Sequence, residues 1–105
     1  MQRGDIWWHE APGENARPYL VLTRNEGIAV LNQLLAVPAT RTIRSIPTEV
    51  RLGPNDGMPA ECVLTLDNMR VVRKSMLTER ITTLGVSRMD EVGAALAFAT
   101  GCTHR

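Results

Sequence analysis

A chain of 105 residues makes one domain with a modest core and leaves no length for a second. A net charge of +1, with 22% charged residues, excludes a strong overall field that would draw the molecule to nucleic acid or a membrane by charge alone. No run approaches the ~20 apolar residues of a membrane span and no signal peptide is evident. Cys62 and Cys102 form neither a CxxC pair nor a disulfide framework. The expectation is a soluble, cytoplasmic, single-domain protein over residues 1–105.

In chain order, "RGDIWWHE" (Arg3–Glu10) reads as a first strand, with Ile6 and Trp8 on one face and Trp7 on the other. "APGENA" is a loop of hairpin length, and "RPYLVLT" (Arg17–Thr23) is a second strand. Pro18 lacks an N–H and so belongs at a strand start or on an edge. "RNEGIA" is a turn with room for one helical turn. The third strand lies within Val30–Thr40, where Pro38 argues against helix. Arg41–Pro47 is a polar connector, "TEVRL" alternates as a half-buried strand, and Gly53–Glu61 is a turn-rich loop.

Cys62–Val72 supplies one or two strands, broken near Asp67-Asn68. "KSML" is a turn and "ERITTLG" alternates again. The clearest helix follows, with Ser87 as N-cap, Asp90 in a capping pattern, Met89, Val92 and Leu96 on one face, and Gly101 as C-terminal cap. Short strands, frequent turns and one terminal helix indicate a mainly β, α+β fold built as a small barrel or rolled sheet. At this size a second copy of the chain is a common cover for exposed edges.

The chemistry-bearing residues narrow quickly. The acidic residues are scattered, with no HExxH pair, no calcium loop, no G-x-S-x-G elbow and no phosphate-cradling glycine loop. No metal or cofactor is expected. His104 adjoins the C-terminus and is expected to fray, whereas His9 ends the first strand as a solvated residue or a base. Lys74 is the only lysine, and the other eleven basic residues are arginines. Codon usage accounts for such a bias, and guanidinium forks also suit phosphate. If strands two and three are antiparallel neighbours, Arg17 at the start of one meets Thr40 at the end of the other. A guanidinium beside a hydroxyl is a reasonable seat for a phosphate.

The order of these segments resembles the MazF/PemK-like toxins of bacterial toxin–antitoxin systems. "RGDIWW", "ARPYLVLTRN", "VPATRT", "IPTEVRL", "CVLTLDNMRVVRKSML" and "ITTLG" followed by a helix cover Arg3 to about Gly101. The resemblance implies an SH3-like barrel of the CcdB/MazF type with a C-terminal helix, acting as a homodimer. It also implies a metal-independent endoribonuclease that cuts single-stranded RNA at a preferred sequence and is silenced by an antitoxin with a flexible acidic segment. Its catalytic pair falls on Arg17 and Thr40. Arg41 and Thr42 adjoin that pair as RNA contacts. Asp67 and Asn68 match an acid-amide pair suited to reading bases, although Asp-Asn is also ordinary turn chemistry. The loop before Arg17 is shorter than in many members, so Glu14 is either a substitute for a family glutamate or simply solvated. Glu14 and His9 are the candidates for the base. Trp7 and Trp8 are stacking candidates of which at least one is core. The competing reading is a CcdB-like toxin that binds gyrase, or a relative that binds RNA or antitoxin without cutting.

Overall fold

The apolar run that follows Arg17 is buried because it lies in the middle of a sheet with a core on each side. In the computed structural model, which describes residues 1–102, β2 (Arg17–Val21) is hydrogen-bonded between β1 (Asp5–His9) and β3 (Gln33–Thr40), antiparallel to both. His104 lies outside the described residues. Leu20 enters one core with Ile6, Val37 and Leu64, against Val92 of the last helix. Tyr19 and Val21 enter the other with Ile28, Leu34, Ala36 and Val72, and Trp7 packs against it. Side chains alternate across a strand, so a central strand with two covered faces must read as a continuous apolar run.

Beyond β3 come β5 (Cys62–Thr65) and β4 (Glu49–Leu52), and beyond β1 comes β7 (Leu77–Thr83), giving the order β4-β5-β3-β2-β1-β7. β6 (Arg70–Arg73) leaves this path and pairs with β3 over Gln33–Ala36, while β5 takes Ala39 and Thr40. Among the described residues no pairing joins β4 to β7, so of the expected small barrel or rolled sheet the structure has an open sheet. The outer edge of β3 is shared between two successive partners, and the sheet branches there. Helix α2 (Val86–Thr100) packs against β4 and the short 3₁₀ turn Leu66–Asn68, covering the core of that arm.

Two helical details differ from the sequence expectation. The segment after β2, expected as a turn with room for one helical turn, forms a short helix, α1 (Asn25–Val30). Lys74, the one lysine, donates through Nζ to the Ile28 carbonyl at 2.8 Å, and so supplies a carbonyl partner near the end of α1. The N-cap of α2 is Gly85, two residues before Ser87. Buried Leu84 donates its N–H to the Gly4 carbonyl at 3.0 Å, which pins the chain to the sheet and starts the helix immediately afterwards. At the other end Gly101 adopts φ 70° and caps the helix as its position suggests. Met89 and Leu96 pack beside Val92, in agreement with the helical spacing.

The loop between β4 and β5 is held from two sides. Gly57 has φ +87°, and a Cβ there would overlap the Thr82 hydroxyl of β7. Asp56 accepts from Arg88 Nε of α2 at 2.9 Å. This loop matters because it forms a wall of the site described next.

Candidate active site

Arg17 opens β2 and its side chain is exposed. Pro18 behind it pairs with Trp8, and its missing N–H is tolerated at this strand start. The β1–β2 register sets His9 opposite Arg17. The β2–β3 register pairs Tyr19 with Pro38 and Leu20 with Val37, so each pair of numbers sums to 57. Continued two residues, that register sets Arg17 opposite Thr40. Directly opposed residues of antiparallel strands project to the same face. His9 is the register partner of Arg17, and Arg17 and Thr40 line one cavity, although 23 positions separate these two in sequence.

Two cavities meet at Arg17. The larger, of about 360 Å³, is lined by Arg17 and Thr40 together with Arg41, Thr42, Trp8 and the loop from Met58 to Glu61. Its floor includes Cys62, which is buried in the core. Burial pushes the Cys62 thiol up, as does the nearby charge of Asp56, against a smaller opposing effect of Arg41. The thiol is thus protonated at neutral pH and a poor nucleophile. Thr40 Oγ1 donates to the Thr42 carbonyl at 3.5 Å, a contact too long to hold the hydroxyl firmly. Arg41 and Thr42 are exposed on the rim.

The smaller cavity, of about 210 Å³, shares Arg17 with the larger and is otherwise lined by His9, Glu14, Asn15, Tyr19 and Arg70. His9 is only 6% exposed, and its ring lies 4.8 Å from that of Tyr19. It is therefore not the solvated strand-end residue that its position allowed. Glu14 is exposed on the β1–β2 loop and comes to the same cavity as Arg17.

Asp67 and Asn68 line neither cavity. They belong to the 3₁₀ turn between β5 and β6, where Asp67 Oδ2 accepts from the Thr48 hydroxyl at 2.6 Å. Trp8 faces the larger cavity, whereas Trp7 is half-buried against the core and donates to Asp5 at 3.3 Å. Sequence reasoning missed Tyr19, Arg70 and the Met58–Glu61 wall. Tyr19 is hidden within the apolar run of β2, and Arg70 reaches it only through the β3–β6 pairing, across 51 positions. No local spacing signals that contact. Among the described residues, no three histidine, cysteine or acidic side chains gather in a way that could hold a metal ion.

The whole chain has counterparts. A probable endoribonuclease MazF2 of Mycobacterium tuberculosis is 34% identical over 103 residues, spanning 97% of this chain and 100% of that protein. A probable endoribonuclease MazF5 of the same species is 35% identical over 97% of this chain and 94% of its own. Among solved structures, a mycobacterial endoribonuclease in complex with its cognate antitoxin superposes with a TM-score of 0.90 at 28% identity, covering 100% of this chain and 99% of that one. A MazE–MazF complex from Deinococcus radiodurans gives 0.83 at 25% identity, with 98% and 97% covered. The family model for PemK-like, MazF-like toxins of type II toxin–antitoxin systems matches residues 2–99, and the chain belongs to that family.

Proposed function

We propose that the cavity shared by Arg17 and Thr40 is where this endoribonuclease toxin cuts single-stranded RNA. The observation that carries the reading is the register of β2 and β3, which brings an exposed guanidinium and a loosely held hydroxyl to one cavity. In the reaction the ribose 2′-oxygen attacks the adjacent phosphorus. A bond forms from the 2′-oxygen to phosphorus and the bond from phosphorus to the 5′-oxygen breaks. The products are a 2′,3′-cyclic phosphate and a 5′-hydroxyl.

Three tasks follow: removing the 2′ proton, stabilising the charge on the phosphorane oxygens, and protonating the leaving 5′-oxygen. Arg17 serves the second task and assists the third, since a guanidinium is permanently charged and rich in donors. It is no base, because a guanidinium keeps its proton in proteins. Thr40 orients the phosphate. His9 and Glu14 are the two candidate bases, and both reach the smaller cavity beside Arg17. Arg41 and Thr42 extend the phosphate contacts along the rim, and Trp8 offers a stacking face to a base. Asp67 and Asn68 reach RNA only if the strand runs beyond both cavities.

The chain acts in the cytoplasm as a homodimer held silent by a cognate antitoxin. Support for the partner comes from the mycobacterial relative solved with its antitoxin, and from the MazE–MazF complexes. Support for the second copy comes from Leu35 and Val71, which are register partners on β3 and β6 and are 44% and 59% exposed. Two neighbouring exposed aliphatic residues are the kind of surface that a second copy buries.

The test is incubation of purified protein with a long RNA in EDTA, followed by mapping of the new 5′ ends. Discrete fragments with 5′-hydroxyl ends are expected. Intact RNA, or ends carrying 5′-phosphate, would overturn the reading.

A further inference from the structure

We infer that Arg70 is a positioning residue that holds the RNA phosphate flanking the one that is cut. The inference rests on the nuclease reading above and extends it to the smaller cavity. Arg70 begins β6, opposite Ala36 of β3, and its Nη1 donates to the Tyr19 hydroxyl at 2.9 Å. Tyr19 is 2% exposed, and its ring lies tilted at 48° to that of His9. The guanidinium is thus anchored by a neutral, immobile hydroxyl. Among the described residues Arg70 forms no ion pair; the ion pairs found all belong to Arg88.

A carboxylate that steers an arginine also neutralises its field. Arg70 is steered without being neutralised. One N–H of the five is spent on Tyr19, and the rest remain for another acceptor. The cavity that Arg70 lines also contains Arg17 and a single carboxylate, Glu14. Arg17, Arg70 and Glu14 give it a formal charge of two positive against one negative. An anion is therefore favoured there, and Arg17 joins this cavity to the one holding Thr40. An RNA strand passing over Arg17 presents one phosphate to the Arg17–Thr40 pair and its neighbour to Arg70. An acidic protein segment has similar charge but no repeating phosphate to match two adjoining cavities, so RNA is the occupant.

The test compares wild type with Arg70→Gln and Arg70→Ala. Glutamine removes the charge while keeping a polar side chain, and the melting temperature of each variant guards against simple loss of folding. Cleavage of RNA gives kcat and KM. Binding of a mixed-sequence 2′-O-methyl RNA, which lacks the attacking hydroxyl, gives affinity against salt. Both variants are expected to raise KM roughly tenfold with kcat within about threefold, and to lower the salt slope by about 0.7, the value for one phosphate of a single strand. Unchanged KM and slope would overturn the inference. So would a loss confined to kcat, or a weakening seen only with the antitoxin. Wild-type protein that binds the methylated strand but cuts nothing would sink the nuclease reading, and the salt slope would still decide the role of Arg70.

Discussion

At the scale of single residues, Arg17 illustrates how a strand end becomes a site. Its neighbours Tyr19 to Val21 are buried, but strand start and exposure leave the guanidinium itself facing solvent. Its meeting with Thr40 in one cavity needs only the antiparallel pairing of β2 and β3. That part was legible in the sequence, because Pro18 marks a strand start and Pro38 discourages helix. The base is a question of one residue against another. His9→Gln and Glu14→Gln each remove one candidate with little change of shape. The variant lacking the true base is expected to lose about 10²–10⁴ in kcat, while the other stays within severalfold of wild type. Equal, small losses in both would show that the base lies elsewhere.

At the scale of elements, the wall of the larger cavity depends on the ties that hold the β4–β5 loop. Gly57→Ala places a Cβ on the Thr82 hydroxyl at a left-handed φ of +87°. It is expected to destabilise the protein by more than about 1 kcal/mol, read as a lower denaturant midpoint at unchanged m. Asp56 makes one of these ties titratable, and Asp5 on β1 makes a second titratable tie, to Thr83 of β7. The Arg88 guanidinium holds the Asp56 carboxyl below the ordinary aspartate value of 3.8, outweighing the opposing effect of burial. For Asp5, burial alone would raise the value. Hydrogen bonds from Thr83, the Gln2 N–H and Trp7, with the charge of the chain's N-terminus, together outweigh it and bring the carboxyl below 3.8.

A lowered folded value means that the unfolded chain binds more protons near that pH. The stabilisation is therefore complete above the unfolded value and is lost as pH falls through the folded one. Stability is expected to hold steady from neutrality to about pH 5 and to decline below about pH 4. Asp56→Asn is expected to start lower and decline less steeply, as chemical denaturation across pH will show. A decline of equal depth in the variant would show that Asp56 contributes nothing to it.

For the whole molecule, the strand sequence and the terminal helix were readable from period and turn residues, whereas closure was not. Whether a sheet closes depends on which strand takes which edge, and the division of β3 between β6 and β5 is settled by packing distant in sequence. The same reason hid the Tyr19–Arg70 contact and left Asp67-Asn68 matched by motif alone, in a turn whose aspartate is tied to Thr48. Ser87 looked like a helix cap because capping was read locally, while the start of α2 is fixed by the link from Leu84 to Gly4. The exposed pair Leu35 and Val71 is a property of the assembled sheet in the same way. Leu35→Glu with Val71→Glu sets like charges opposite each other and is expected to yield a folded monomer by sedimentation. A dimer persisting in that variant would place the interface on another face.

The most direct measurement is single-turnover cleavage of one RNA in EDTA by wild type and by Arg17→Ala, with the melting temperature of both proteins recorded. Loss of at least about a hundredfold in rate with an unchanged melting temperature is the predicted result. An Arg17→Ala protein that cuts at the wild-type rate, or that fails to fold, would contradict the assignment of this strand-end arginine to phosphate chemistry.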